Sequence, residues 1–289
     1  MSAPADIGRA AARSLPLDAE EAARARRARR ERVGAVALPL LVVGGTILLW
    51  HWFVTAYAVP HYILPGPGRV VSQLVEDWDV LFGALLVTLK ITLLALATAV
   101  LVGGGLAVLF SLSRWVEMSF FPYAVILQVT PIVSIAPLIF IYVESPTAGL
   151  LICAWIVAFF PILSNTTLGL RSVDHNLDDL FTIYGATRWQ RLRHLQAPSA
   201  LPYFLGGLRI AGGLSLIGAI VAEYVAGSTG TNGGLAFRIL EASYRLNIPR
   251  MFAALLLIAL AGVAIFAATA LLQWLALRRW HESAVRRER

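Results

Sequence analysis

Long apolar runs recur along most of this chain, and they constrain its fold more than any other feature of the sequence. Six runs of roughly 20 or more residues cover residues 33–57, 85–111, 119–143, 147–170, 203–227 and 251–277. Each run is long enough to cross the hydrocarbon core of a bilayer as an α-helix. The runs are continuously apolar and do not alternate with polar residues, so they do not indicate a β-barrel. The sequence therefore predicts an all-α, polytopic membrane protein with six transmembrane helices.

The composition supports the bilayer as the main solvent. Hydrophobic residues make up 58% of the chain and charged residues 14%, whereas a soluble domain carries about 25% charged residues. The single cysteine, Cys153, lies in an apolar run. An intramolecular disulfide and a cysteine-based metal cluster are therefore both excluded.

The distribution of basic residues predicts the orientation, because arginine and lysine are retained on the cytoplasmic side. Arginines cluster before the first run, after the last run and between the fourth and fifth runs. We therefore expect both termini and the loop 171–202 to be cytoplasmic, with 58–84 outside. Segment 228–250 must then also lie outside, although it carries Arg238, Arg245 and Arg250 against Glu241. The basic segments lack interleaved aromatic residues, so we expect no nucleic-acid partner.

The segments outside the apolar runs are predicted to be two basic tails and one short helix. Residues 1–32 form a basic cytoplasmic tail that we expect to be disordered or to lie on anionic lipid, and residues 278–289 form a second basic tail. Apolar residues between Val70 and Phe82 recur at helical spacing and predict a short amphipathic helix at the outer interface. The region 33–277 remains as the transmembrane domain.

The cytoplasmic loop 171–202 reads as two short helices joined by a glycine. Asn176 is predicted to cap the first, with Asp179 in its first turn, and Gly185 to end it in a left-handed conformation. Thr187 and the glutamine three residues later form a capping box for the second helix, which Pro198 is predicted to stop.

The first loop helix has an apolar face although the loop is polar. Its members recur at intervals of three and four residues: Leu177, Leu180, Phe181 and Tyr184. Such a face requires a partner. The spacing alone fits packing against this chain's own helix ends and binding of another protein equally well.

At these positions the sequence resembles the inner-membrane permeases of binding-protein-dependent ABC importers. Their cytoplasmic signature is Glu-Ala-Ala, three residues, Gly, nine residues and Ile-x-Leu-Pro, and Asp179, Gly185, Leu195 and Pro198 stand at the corresponding positions. Leu180 and Phe181 replace the two alanines. The segments 131–138, 200–210 and 221–224 also resemble the nitrate, sulfonate and taurine permease group.

The resemblance implies a type I ABC importer permease in the bacterial inner membrane. The first loop helix would then be a coupling helix that docks on an ATPase subunit, which binds the ATP. Further implied partners are an extracytoplasmic substrate-binding protein and a second copy of the permease. The implied substrate is a small organic or inorganic anion such as a sulfonate, taurine or nitrate, or alternatively a pyrimidine vitamin precursor or riboflavin.

Enzyme chemistry has no support in the sequence. A phosphate-binding loop requires Gly-Lys-Ser/Thr, and the one lysine, Lys90, lies between Leu89 and Ile91. The five histidines do not cluster with carboxylates at metal-ligand spacing. We therefore expect a transport subunit that is not an enzyme and has no cofactor or metal of its own.

Polar residues and prolines within the runs are candidates for a translocation path, because such groups are costly in lipid. The candidates are Gln128, Thr130, Pro131, Ser134, Asn165 and Glu223. Pro131 and Pro137 are predicted to interrupt the third run, either beside a cavity or as a packing kink. Glu223 could pair with Lys90, line the path or reach the outer surface. An ion-coupled transporter would require paired membrane carboxylates, and Glu223 is the only acidic residue deep in a run.

Overall fold

The computed structural model describes residues 17–227 and 233–278, and within these ranges the chain is helical with short turns and no strand. The helices are, in chain order, α1 Leu17–Ala56, α2 Pro67–Glu76, α3 Trp78–Leu112, α4 Arg114–Val129, α5 Ile132–Tyr142, α6 Pro146–Arg171, α7 His175–Ile183, α8 Arg188–Arg191, α9 Ala197–Ala226, α10 Leu235–Tyr244 and α11 Ile248–Leu277. A π-helical turn, Leu192–Gln196, lies between α8 and α9. The predicted all-α fold is confirmed.

The first compact unit of the chain ends at Val59, and its helix is α1. Residues Val33–Ala56 of α1 are apolar enough to cross a membrane, and their large side chains are mostly exposed, as expected for a surface that meets lipid. The helix begins at Leu17, so disorder is the wrong prediction for residues 17–32. An alanine-rich and arginine-rich sequence has high helix propensity even where it has no apolar stripe. Residues 1–16 and 279–289 of the predicted tails lie outside the described residues.

In the second unit, which begins at Pro60, several spans are longer than predicted. Helix α3 begins at Trp78 and not at residue 85. The predicted amphipathic helix over 70–82 is therefore shorter: α2 ends at Glu76, and Asp77 separates it from α3. Trp78 and Phe82 stack on each other in the first turns of α3. The apolar residues keep their helical spacing across α2 and α3, because only Asp77 lies between the two helices.

The helices of the second unit contact one another at two opposite ends of that unit. At one end, the α3–α4 turn approaches the loop, where Arg188 Nη1 donates to the Leu112 carbonyl at 3.4 Å. At the other end, Thr88 of α3 donates to Glu223 of α9 at 3.1 Å. Because the basic loop must be cytoplasmic, the first is the cytoplasmic end and the second the outer end.

The third predicted span is broken into α4 and α5, which meet at 104°. Thr130 and Pro131 are extended at the break, because proline disfavours a helical conformation in the residue before it. The prediction of an interruption is right for Pro131 and wrong for Pro137, which lies inside α5.

The broken pair crosses the membrane once. Ala124 of α4 packs in a cluster with Phe110 and Leu163 towards the cytoplasmic end. Ala136 of α5 packs in a second cluster with Ile91 and Ala222 towards the outer end. Counted with this pair, the described residues contain six candidate spans, as predicted.

The core of the second unit is the contact between α6 and α9, which depends on glycines. A Cβ atom at Gly207 would lie 2.8 Å from the Pro161 carbonyl oxygen, and one at Gly218 would lie 2.8 Å from the Ala154 Cα atom. Real Cβ atoms do not approach other atoms so closely. In lipid, where helices gain little from excluding water, small residues of this kind allow the backbone contact that holds them together.

We expect Gly218→Ala to destabilise the protein by about 1–3 kcal/mol, because the added methyl group overpacks the α6–α9 contact. Gly213→Ala is the matched control: Gly213 is in the same helix and has no atom within 4 Å of its Cβ position. That change should be neutral or stabilising, since alanine favours helix. Thermal unfolding of the purified variants in detergent measures the difference. Equal unfolding temperatures would contradict the importance of this contact.

Candidate functional site

The first loop helix, α7, begins and ends through local hydrogen bonds. Its N-cap is Asp174, whose Oδ1 accepts from the Asn176 N–H at 2.8 Å. The predicted cap at Asn176 is therefore wrong, and the acidic residue in the first turn is Asp178, not Asp179. Two good capping residues lie two positions apart in this sequence, and the first one takes the cap.

The glycine between the loop helices has the predicted left-handed conformation, with φ of +65° at Gly185. The Gly185 N–H bonds to the Thr182 carbonyl at 3.0 Å, and the Ala186 N–H bonds to the Phe181 carbonyl at 2.9 Å. These two bonds form a Schellman motif. The predicted capping box of Thr187 and Gln190 is also present at the start of α8.

Pro198 does not stop the second loop helix, contrary to the prediction. Helix α8, the π-helical turn and α9 form one helical path from Arg188 to Ala226. The Ala197 N–H bonds to the Leu192 carbonyl, five residues back. This wider turn relieves the conflict between a proline ring and the carbonyl one turn earlier. Pro198 consequently lies in the first turn of α9.

The apolar face of α7 has no cover from this chain. Among the residues that the structure describes, no side chain of α7 is buried. Leu177 and Leu180 are about half exposed, and Tyr184 is 81% exposed. Phe181 is half-buried and lines a groove of about 370 Å³ with Leu180, Tyr184 and the second loop helix. The face therefore does not pack on the chain's own helix ends.

The loop is nevertheless held firmly to the membrane helices. Arg191 pairs with Asp178 at 3.1 Å and donates to Thr182 Oγ1 at 2.9 Å, which joins α8 to α7. Leu192 and Leu195 are buried. Leu195, predicted as part of the docking surface, is thus placed at the base of the loop.

The predicted path residues fall into three separate places. Gln128, Pro131 and Ser134 lie exposed around the α4–α5 break, and Thr130 there donates to the Ile126 carbonyl at 2.7 Å. Asn165 lies in α6 against Gly207 of α9, and its side chain donates to the Pro161 carbonyl at 2.8 Å. Glu223 lies near the outer end. Of the three groups, only the first is exposed.

Glu223 is buried, with 3% of its surface exposed. Its Oε2 accepts hydrogen bonds from the Thr88 hydroxyl and from the Ala236 N–H, both at 3.1 Å. The Leu235 N–H donates in turn to Thr88 Oγ1 at 2.9 Å. Gly234 packs so closely on the carboxyl group that a side chain there would collide with it. Glu223 therefore neither reaches the outer surface nor pairs with Lys90, which is exposed, and its role in the path stays a prediction.

Part of the positive charge of segment 228–250 is neutralised by an ion pair, because Arg250 bonds to Asp77 at the outer end. It donates to both Asp77 oxygens, with Nε–Oδ2 and Nη2–Oδ1 distances of 2.6 Å. These bonds from Arg250 lower the pKa of the Asp77 carboxyl below its usual value. Arg238 and Arg245 both pair with Glu241. Sequence reasoning missed the Asp77 pair, which joins residues 173 positions apart.

Comparison with known proteins identifies the family. The family described as "binding-protein-dependent transport system inner membrane component" matches residues 99–281. The chain belongs to this family. The permease is 34% identical over 259 residues to a riboflavin transport system permease of Chloroflexus aurantiacus, covering 86% of this chain and 91% of the relative.

Other relatives agree with this membership. A probable ABC transporter permease of Haemophilus influenzae is 34% identical over 76% of this chain and 88% of its own length. A formylaminopyrimidine transport permease of Halalkalibacterium halodurans is 32% identical over 77% and 88%. The crystal structure of an amino acid ABC transporter with histidines shares the fold, with a TM-score of 0.57 and 19% identity over 72% of this chain and 97% of that chain.

Family membership settles the general role of the chain. It is a multi-pass inner-membrane permease of a bacterial ABC importer, and its relatives are permease subunits, not ATPases. Such a permease works with an ATPase and a substrate-binding protein. The competing interpretation, an ion-coupled secondary transporter, is therefore wrong.

We expect Glu223→Leu to destabilise the outer end, because it leaves the buried Ala236 N–H without its partner at a cost of about 1–3 kcal/mol. The Thr88 hydroxyl would keep only its 3.3 Å bond to the Ala84 carbonyl. Glu223→Gln is the matched control, since its amide oxygen can accept both bonds. Thermal unfolding and substrate uptake should both be near wild type for Glu223→Gln. A Glu223→Gln variant that folds normally but does not transport would show instead that the carboxyl group acts in the translocation path.

Proposed function

We propose that α7 docks on the ATPase subunit and transmits its closing motion to the membrane helices. The observation that carries this proposal is the contrast within the loop: the face of α7 is uncovered while its base is buried. An uncovered apolar face next to a groove suits the insertion of a helix into a partner. The residues assigned to docking are Leu177, Asp179, Leu180, Phe181, Tyr184 and Gly185.

The rigid attachment of the loop supports transmission of force. Arg191 links α7 to α8 through Asp178, and α8 continues without interruption into α9. Arg188 reaches the end of α3. A displacement of α7 would therefore move α3 and α9 together, as coupling through packed elements requires.

The exposed polar side chains at the α4–α5 break support a path enclosed by a second copy of the permease. Gln128, Pro131 and Ser134 are exposed within a membrane span. Irregular backbone and polar groups at membrane depth are tolerated where they face protein or water and not lipid. A homodimer with this surface at its centre would enclose an alternating-access pathway. The ATP that drives it would be bound by the ATPase subunits alone.

For the substrate we favour a small nitrogen heterocycle of the pyrimidine or flavin type over a small anion. The riboflavin and formylaminopyrimidine relatives are 34% and 32% identical to this chain, whereas an aliphatic sulfonate relative of Bacillus subtilis is 27% identical and the bicarbonate relatives are 25% identical. The sulfonate, taurine and nitrate class is the second candidate.

Gly185→Val should uncouple transport, because a β-branched residue is strained at a positive φ by about 1–2 kcal/mol. The correctly shaped loop would then be populated roughly 5- to 30-fold less. Gly185→Asn is the matched control, since asparagine tolerates the left-handed region. The measurement is ATP-driven uptake by the reconstituted complex, together with co-purification of the ATPase. If Gly185→Val supports uptake at the wild-type rate, α7 is not the coupling element.

The substrate class can be decided on the reconstituted importer with its own binding protein. We expect the binding protein to bind riboflavin or an aminopyrimidine, measured by calorimetry, and the proteoliposomes to accumulate that compound when ATP is supplied. Taurine and nitrate serve as the comparison substrates under the same conditions. Uptake of either of them, without uptake of a heterocycle, would contradict the favoured class and leave the coupling proposal intact.

A further inference from the structure

A pocket of about 520 Å³ lies at the cytoplasmic end between the α3–α4 turn and the cytoplasmic loop 171–202, called the coupling loop below. One wall carries Ser111, Ser113 and Arg114, and the opposite wall carries Arg188, Arg191 and Gln196. All residues that line it are described, and none of them is acidic. Three arginines and two serines therefore line one pocket, which has room for a phosphate headgroup.

The positive charge of this pocket is only partly neutralised. Asp178 pairs with Arg191 from the side of α7, and Glu117 pairs with Arg171 next to the pocket. Arg114 and Arg188 have no carboxylate partner in the described part of the chain. Arg188 makes only a long bond to a backbone carbonyl, at 3.4 Å. Two guanidinium groups thus remain available to an anion.

The pocket also lies beside the N-terminus of α4, which spans Arg114–Val129. The free N–H groups and the dipole of a helix N-terminus favour a phosphate. Ser113 caps only the Val116 N–H, at 3.5 Å. Arginine pairs with phosphate through two parallel hydrogen bonds. The chemistry of the pocket is therefore that of a phosphate site.

The surroundings of the pocket indicate a lipid as the source of the phosphate. Trp115 lines the pocket and is 79% exposed. Met118, one turn further into the membrane-spanning pair, is about half exposed. Tryptophan is typical of the membrane–water interface, so a bound headgroup would have an apolar surface along which its acyl chains could extend.

We propose that this pocket binds the phosphate headgroup of an anionic phospholipid from the cytoplasmic leaflet. Basic pockets between transmembrane helices on this side of a membrane are suited to such headgroups. Because its walls belong to the α3–α4 turn and to the coupling loop, the lipid bridges these two elements. Anionic lipid then stabilises the loop position independently of which substrate is carried.

The test uses the intact complex of permease and ATPase in mild detergent. Native mass spectrometry counts bound lipid during titration with phosphatidylglycerol, with phosphatidylethanolamine as the zwitterionic comparison and inorganic phosphate as the soluble one. We expect retained phosphatidylglycerol in the wild type and a loss of affinity of about fivefold for each arginine removed in Arg114→Gln and in Arg114→Gln/Arg188→Gln.

Arg193→Gln is the matched control, because Arg193 is an exposed arginine of the same loop and does not line the pocket. It should keep the wild-type affinity. If the double variant does not fold, Arg114→Gln alone decides, since the Arg114 side chain is exposed. Equal lipid retention in Arg114→Gln and Arg193→Gln would overturn the proposal. Displacement of the lipid by millimolar inorganic phosphate would overturn the lipid assignment in favour of a soluble anion.

Discussion

The close contact between α6 and α9 is the interaction on which the rest of the structure depends. At its cytoplasmic limit, a Cβ atom on Gly169 would lie 2.8 Å from the Ala200 Cα atom. Gly169 lies just before the cytoplasmic loop and Ala200 in the first turn of α9, so this contact fixes the two points between which α7 and α8 lie. A loop with such fixed ends can expose an apolar face without collapsing onto its own helices, because its backbone has little freedom to bend back.

Several features of this arrangement could be predicted from sequence because they are local. The apolar runs predict the spans, Pro131 predicts the break, and Gly185 predicts the end of α7. Each depends on residues within one or two turns. The effect of Pro198 cannot be predicted locally, because it depends on the preceding backbone. The π-helical turn lies where Leu192 and Leu195 are buried by tertiary packing, and helix propensity does not reveal such packing.

The contacts that could not be predicted join residues far apart in the chain. Glu223 meets Thr88 across 135 positions, and Arg250 meets Asp77 across 173. A sequence shows that a carboxyl group lies in an apolar run, but not that the N-terminus of α10 supplies its partner. The same holds for α7: its residue spacing predicts an apolar face, and only the packed structure shows that this face is uncovered.

The two ends of the second unit differ in how many of their arginines pair with carboxylates. At the outer end Arg238 and Arg245 share the Glu241 carboxylate and Arg250 pairs with Asp77, so two of the three positive charges there are locally compensated. At the cytoplasmic end Arg114 and Arg188 lack such partners in the described residues. Orientation rules count arginines without regard to pairing. Their pairing reduces the net charge of a segment that carries three arginines and lies outside, whereas Arg114 and Arg188 remain without carboxylate partners, within the described residues, at the end that faces the ATPase and the anionic leaflet.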